Sequence, residues 1–219
     1  MTFDPITIFA ILAAFALGGT LKGATGAGAP IITIPVIAAF YDVRIAVIIM
    51  VIPNLLTNIS QIYQFRKTIL PIFFTFSFAL GGGIGAFVGT ILLINLPIKI
   101  LTLSVAFIVI IYITLKLIVP SWKLAYQRAT KLVFIMGAGG GVLQGSAGLS
   151  APVSITFLNS MKLERNQFIP TISVYFGVMS VFQIPTLYYY DFFKCEITIP
   201  VSYTHLRAHE TRQYIVCRL

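Results

Sequence analysis

The chain alternates between long apolar runs and short polar clusters, a pattern typical of proteins that cross a membrane several times. The apolar runs cover approximately residues 6–40, 45–63, 69–94, 98–119, 132–158 and 168–190. A helix that spans a bilayer needs about 20 apolar residues, so the four runs other than 6–40 and 132–158 fit one helix each. The pattern predicts an all-α polytopic membrane protein with about six spans.

Glycine-rich breaks interrupt the two remaining runs. The run at residues 6–40 is too long for one straight span, and its break lies at residues 18–30. We expect a broken helix there, or a helix followed by a re-entrant half, because irregular backbone at membrane depth must be buried in protein or line a cavity. The run at residues 132–158 carries a second break at residues 140–152.

The two breaks are copies of one motif, displaced by 122 positions. Seven of the thirteen aligned residues are identical, and farther on Asp42 aligns with Glu164 and Gln61 with Gln183. A repeat of this length indicates one multi-helix unit used twice. We therefore expect a first membrane repeat at residues 1–121 and a second, incomplete one at residues 122–200. With four spans per unit, an even number, the two halves would be parallel in topology.

The last segment, residues 201–219, breaks the apolar texture abruptly. It resembles the translation of a sequencing adaptor, and we treat it as an artefact outside the fold. The counterparts of the runs at 69–94 and 98–119 would then fall beyond residue 200, so that about six of eight expected spans are present. The spacing of His205 and His209 in this tail has no meaning as a metal site.

Composition places the chain in lipid. Hydrophobic residues make up 58% of it and charged residues 10%, against about 45–50% and about 25% in soluble domains. The net charge of +9 does not indicate nucleic-acid binding, because the basic residues stand singly or in pairs between apolar runs, as in loops at a membrane surface. Residues 1–200 contain no histidine, nucleophile–base pair or metal-binding cluster. We therefore expect no enzyme, catalytic residue, metal or cofactor.

The breaks are the candidate site for a small anionic solute. Pro30 and Pro152 suit the first turn of a helix, and the helices that begin there would direct free N–H groups and a positive dipole end at each gap. Matching interruptions in two halves indicate a transporter's substrate site. The alternative is that the glycines only let helices pack closely, as we expect of Gly81–Gly83, Gly85 and Gly89. The remaining candidates in the breaks are Gly23, Thr25, Gly26, Gly145, Ser146, Gly148 and Ser150.

Lys22 lies inside the first break, and Gln144 takes its place in the second. An ionisable residue at membrane depth is expensive and usually functional, so Lys22 is a candidate for the positive charge that an anion meets. Alternatively, Lys22 ends the first span and extends to the interface.

A polar stripe follows one face of the second run. Asn54, Thr57, Asn58 and Gln61 fall at i, i+3, i+4 and i+7, and Gln183 repeats part of the stripe in the second copy. Such a stripe must face the bundle interior, where Asn54, Asn58, Gln61 and Gln183 either line the substrate pathway or join helices by hydrogen bonds.

Loop charges give the expected orientation. If successive polar clusters lie on alternate sides, six Lys/Arg share the side of the N-terminus and four lie opposite. Because cytoplasmic loops carry more Lys and Arg, we expect the N-terminus in the cytoplasm.

The duplicated glycine-rich breaks, each ending in Ala-Pro at residues 29–30 and 151–152, resemble the sulfite exporter TauE/SafE family. The resemblance covers residues 1–200 and implies an eight-helix permease of the prokaryotic plasma membrane for small sulfur-containing or carboxylated anions. Our leading hypothesis is therefore a secondary transporter for an anion such as sulfite or an organosulfonate, working by rocking of the two repeats. The alternatives are a membrane scaffold whose glycine motifs serve packing, and a channel.

Overall fold

The computed structural model describes residues 4–118 and 123–190, and these residues form helices without any strand. Eight α-helices follow one another, with a short 3-10 helix at Arg66–Thr68 after the third. They are α1 (Pro5–Thr25), α2 (Ala29–Phe40), α3 (Val43–Phe65), α4 (Ile72–Asn95), α5 (Ile98–Ile118), α6 (Tyr126–Ala147), α7 (Ala151–Ser160) and α8 (Arg165–Tyr189).

Four helices are long and apolar enough to cross a membrane: Pro5–Thr25, Val43–Thr68, Ile72–Asn95 and Arg165–Tyr189. Their outer faces carry large apolar side chains, and Phe9 and Ile72, for example, are 73% and 85% exposed. A soluble domain would not present a continuous surface of this kind to water. The expectation of an all-α polytopic membrane protein is confirmed.

Glycines end the long helices at both breaks. The chain leaves α1 at Gly26 (φ 83°) and α6 at Gly148 (φ 70°), and each N–H bonds to the carbonyl four residues earlier. This left-handed conformation is accessible to glycine at little cost and closes a helix C-terminus. The apolar runs at 6–40 and 132–158 are therefore each divided into a long helix and a short one.

The short helix α2 folds back along α1. Thr33 Oγ1 donates to the carbonyl oxygens of Ala29 (3.0 Å) and Ala14 (3.4 Å), and Gly18 lies against Ala29 and Thr33. Residue numbers rise along α2 as they fall along α1, so the two helices are antiparallel. Of the two expected geometries, the structure has the long helix followed by a re-entrant half.

The sequence-based expectation of parallel repeats is wrong. The aligned helices α3 and α8 run antiparallel: Ser173 Oγ donates to Gln61 Oε1 (3.0 Å), and Thr68 Oγ1 to the carbonyl of Asn166 (2.5 Å). The halves that contain them are therefore inverted relative to each other. The physical reason is α2, a re-entrant half-helix that returns toward the side from which α1 came. The run at residues 6–40 therefore makes no net crossing of the membrane. Each unit then has one crossing fewer than the expected four, and an odd number inverts the second unit.

The order of a long, a short and a long helix occurs in both α1–α3 and α6–α8. The division of the chain at residues 121 and 200 stays a prediction, and the segment 201–219 lies outside the described residues.

The core is built around α4, α6 and α8. Tyr175 stacks on Phe78 with ring centroids 4.0 Å apart, and its hydroxyl donates to the carbonyl of Gly137 (2.9 Å). Phe74 and Phe157 continue the aromatic cluster.

Glycines form a seam between α4 and α6. These glycines occur at every fourth residue on both helices. A Cβ added to any of them would collide with a backbone carbonyl of the facing helix. Such small residues let two backbones approach closely in lipid. The seam residues are Gly81, Gly85 and Gly89 on α4 and Gly137, Gly141 and Gly145 on α6.

Candidate functional site

The two breaks meet at one small cavity. The first break contributes Gly28, Pro30 and Ile31, and the second contributes Gln144, Gly148, Leu149, Ser150 and Ala151, with Ile155 and Phe176 completing the lining. The cavity has room for about one water molecule. Residues that lie more than a hundred positions apart in sequence thus form one site.

Two helices begin at this cavity. α2 starts at Ala29 and α7 at Ala151, with Pro30 and Pro152 as their second residues. Proline lacks an N–H, and contrary to the expectation of free first-turn N–H groups, the Ile31 N–H bonds to the Gly28 carbonyl and the Val153 and Ser154 N–H groups bond to the Ser150 carbonyl. Both positive dipole ends nevertheless lie at the site, an arrangement that favours an anion. Pro152 itself lines a neighbouring small cavity together with Ile31 and Leu149.

Gln144 is one of two buried polar side chains of the lining, with Ser150. It is 6% exposed, and among the described residues its Oε1 finds no hydrogen-bond partner. An unsatisfied buried polar atom costs about 1–3 kcal/mol. This unsatisfied atom belongs to a residue that lines the cavity beside two helix N-termini.

Ser150 contributes a hydroxyl group to the lining of the cavity. It is buried, and Ser154 Oγ donates to its carbonyl oxygen at 2.9 Å and lies 3.3 Å from its Oγ. The first turn of α7 is thereby fixed by two serines.

Lys22 does not reach this cavity. It lies in the last turn of α1, only 4% exposed, and its Nζ donates to Asn54 Oδ1 (2.9 Å) and Thr57 Oγ1 (2.8 Å) of α3. The side chain therefore turns inward to α3 rather than out to the membrane interface.

The polar stripe of α3 joins three helices. Asn58 Nδ2 donates to Asn54 Oδ1 (3.1 Å), Gln61 Nε2 to the carbonyl of Lys22 (3.4 Å), and Gln61 Oε1 accepts from Ser173 of α8. Within the described part of the chain, two buried atoms of the predicted stripe, Asn58 Oδ1 and Gln183 Nε2, have no hydrogen-bond partner.

The other predicted residues lie around the cavity rather than in it. Thr25 is exposed, and its hydroxyl donates to the carbonyls of Leu21 and Ala27. Gly26 packs against Ile169, and Ser146 donates to the carbonyl of Val142. Gly145 lies on the seam with α4, and Gly23 is exposed with open space beside its Cα.

Sequence reasoning missed three residues near the first break. Ser173 donates a hydrogen bond to Gln61, and Phe176 lines the cavity. An Arg165 guanidinium N–H donates to the carbonyl of Gly23 (3.2 Å). The 122-residue offset could have identified Phe176. The offset aligns Phe176 with Asn54 and Gln144 with Lys22, so that Phe176 is expected beside Gln144 if Asn54 lies beside Lys22.

A comparison with protein-family models gives a match to the family described as Sulfite exporter TauE/SafE, over residues 10–205. The match includes residues 201–205, the beginning of the segment that the sequence analysis expects to lie outside the fold. No curated protein and no solved structure matches the chain.

Proposed function

The chain belongs to the sulfite exporter TauE/SafE family, whose members are membrane transporters, and on that premise we propose that it is a permease for a small anion. The substrate binds between the two glycine breaks, and sulfite, organosulfonates and small carboxylates are the candidates. The scaffold alternative is not favoured, because the family is one of transporters.

The observation that carries this proposal is the cavity on which α2 and α7 both begin, with Gln144 beside it, whose amide oxygen has no hydrogen-bond partner among the described residues. Two positive dipole ends attract an anion. A half-turn of the Gln144 amide presents its NH2 group, which can donate to an oxyanion. The described residues that line the cavity carry no charged side chain, so these dipoles supply the recognition.

Transport requires the breaks to separate. A cavity with room for about one water molecule is too small for a sulfonate, so the two breaks lie too close together here to admit one. Inverted repeats that rock about a site at their interface expose it to the two sides in turn. The aligned antiparallel helices α3 and α8 supply that interface.

Lys22 lies outside the cavity, in the last turn of the helix that leads into the first break. Its ammonium group is buried beside the first break, and the Arg165 guanidinium contacts the carbonyl of Gly23 in the same region. We assign to Lys22 the positive field that favours an approaching anion.

Basic residues cluster at one end of the bundle, which we place in the cytoplasm of a prokaryotic cell. Among the described residues this end carries Arg66, Lys67, Lys123, Arg128, Lys131, Lys162 and Arg165, whereas the other carries Arg44 and Lys99. The first turn of α1 lies at the less basic end, because Gly23, late in α1, is bonded to Arg165 at the basic one. The positive-inside rule then favours an external N-terminus, the opposite of the sequence-based expectation.

The proposal is tested with the chain in proteoliposomes, by following efflux of labelled sulfite, a sulfonate and a carboxylate. We expect saturable flux for at least one of them. Gln144→Leu should weaken transport by about 10- to 100-fold at low substrate, the effect of losing a hydrogen bond to a charged group.

Gln127→Leu is the matched control, since Gln127 lies on the same helix but is exposed, and its flux should equal that of the unaltered chain. Absence of saturable flux for all three anions, or equal flux from the Gln144 and Gln127 variants, would overturn the proposal.

A further inference from the structure

Gln183 of α8 is a buried amide that the proposed function does not involve. It is 1% exposed, and its Nε2 has no hydrogen-bond partner among the described residues. An N–H group that loses water on burial and gains no other partner destabilises the folded chain. Packing against the neighbouring helices is better served by an apolar side chain, so packing does not account for a glutamine at this position.

The aligned residue Gln61 shows how an amide at this position joins helices. Its Oε1 accepts from Ser173 of α8 (3.0 Å), and its Nε2 donates to the carbonyl of Lys22 (3.4 Å) in the last turn of α1. Both ends of the Gln61 amide are therefore bonded, and α1, α3 and α8 are joined there.

The first of these partners has no counterpart at Gln183. The offset of 122 pairs Ser173 with Val51. Val51 and Gln183 also lie at one level of the antiparallel pair α3 and α8, because Val51 is ten residues before Gln61 and Gln183 is ten residues after Ser173. Both are buried, but Val51 has an isopropyl group where Ser173 has a hydroxyl.

The second partner has a counterpart, but the bond to it is not formed. The offset pairs Lys22 with Gln144, and the Nε2 of Gln183 bonds neither to the Gln144 carbonyl nor to any other described residue. Gln144 Oε1 has no partner in the described chain either. The second repeat thus has two incompletely bonded amides at positions where the first repeat has a bonded network.

The face of α8 that carries Gln183 leads to the cavity. Phe176, Ser180 and Gln183 fall at i, i+4 and i+7, one buried stripe of the helix, and Phe176 lines the cavity together with Gln144. Ser173, one turn earlier on the same face, is bonded to α3. The stripe therefore lies at the interface that opens when the repeats rock.

We infer that Gln183 is a second donor to the transported anion, and that its NH2 group binds one oxygen of the anion while the NH2 group of Gln144 binds another. The inference rests on the proposed function, since it concerns the same substrate. Sulfonate and carboxylate groups carry more than one oxygen, and the amide of a glutamine supplies two N–H donors. Separation of α3 and α8 gives the anion access to Gln183.

The test follows flux of labelled sulfite, methanesulfonate and acetate through the full chain in proteoliposomes, and the rise in its unfolding temperature when each anion is added in detergent. Gln183→Met keeps the length of the side chain and removes the amide. We expect the half-saturating concentration of the transported anion to rise by about tenfold or more, the effect of losing a hydrogen bond to a charged group. The rise in unfolding temperature that this anion causes should shrink accordingly. Gln127→Met, at an exposed position of α6, should change neither.

Unfolding without anion separates binding from a structural role. Gln61→Met loses two hydrogen bonds and should unfold at a lower temperature. Gln183→Met removes an amide nitrogen that has no partner in the described structure, and it should unfold at the same temperature as the unaltered chain or at a higher one. Destabilisation by Gln183→Met as large as that by Gln61→Met would make Gln183 a joint between helices and overturn the inference.

A second variant, Gln183→Leu, should show the same loss of anion affinity as Gln183→Met. Flux that Gln144→Leu weakens and both Gln183 variants leave unchanged would contradict this inference but not the proposed function. Absence of flux for all three anions through the unaltered chain would contradict both.

Discussion

At the scale of single residues, the aligned residues Lys22 and Gln144 have different surroundings. Both are buried at the end of a long helix, but Lys22 is bonded to α3, while Gln144 borders the cavity and its amide oxygen has no partner in the part of the chain that the structure describes. The difference follows from their partners, since Asn54 offers Lys22 an acceptor and the aligned Phe176 offers Gln144 none. On the proposed function, it is the Gln144 amide of the second break that meets the anion.

Lys22 has no carboxylate among its hydrogen-bond partners in the described structure, and a buried charge with neutral partners is retained at a cost to stability. We predict that Lys22→Met leaves the stability of the detergent-solubilised protein unchanged or raises it by about 1 kcal/mol or more, while reducing anion flux. Thermal unfolding and proteoliposome efflux measure the two effects. Lys67→Met, at an exposed site, should alter neither, and a destabilised Lys22→Met protein with normal flux would contradict the assigned role.

At the scale of helices, the glycines divide into three classes according to what they face. Gly26 and Gly148 end helices with positive φ, Gly141 and Gly145 lie on the seam, and Gly19 faces open space. In the sequence, all five glycines belong to the same repeated motif. The alignment of the two copies shows which residues are identical, but not which neighbour each glycine contacts.

The repeat offers a matched pair for testing the seam. Gly141→Ala places a methyl group against the backbone of α4, and we predict a loss of about 1–3 kcal/mol of stability from overpacking. Gly19→Ala, the aligned change on α1, meets no atom of the described residues within 4 Å and should be neutral or stabilising by up to about 1 kcal/mol through helix propensity. Thermal unfolding of both variants by circular dichroism compares them. Equal effects would show that α4 and α6 are not in close contact.

Helix positions could largely be predicted from the apolar runs, because span length and glycine breaks are local properties. The run at 45–63 became Val43–Phe65, and Asp42 at its start accepts N–H bonds from Arg44 and Ile45. The direction of α2 could not be predicted in this way. Two left-handed glycines, Gly26 and Gly28, lie where the path reverses, and that reversal changed the relation of the repeats. The equivalent return of α7 placed Lys162 and Arg165 at the end that carries Lys123.

The candidate site was predictable in part. Pro30, Gln144, Gly148 and Ser150 do meet at one cavity, since two copies of a motif in inverted repeats come together near their shared axis. Lys22 and the α3 stripe form a separate network, because helical periodicity gives the face of a residue but not the helix that this face contacts.

At the scale of the whole molecule, the charge distribution defines two ends. We predict that the end with Arg66 and Lys67 is cytoplasmic and the end with Lys99 external. Single cysteines at Lys67 and Lys99, in a chain whose Cys195 and Cys217 are replaced by serine, are treated in intact cells with an impermeant maleimide. The Lys99→Cys chain should react directly and the Lys67→Cys chain only after lysis, and the reverse order would restore a cytoplasmic N-terminus.

The central claim is that an anion crosses the membrane by separation of the two breaks at their shared cavity. Ile31 of the first break and Leu149 of the second line it together, so a disulfide between Ile31→Cys and Leu149→Cys, in the same cysteine-free chain, would hold the breaks together. The decisive measurement is anion flux through this variant in proteoliposomes, before and after reduction. We predict flux that is blocked in the oxidised protein and restored by reductant, and full flux with the disulfide demonstrably formed would contradict the account.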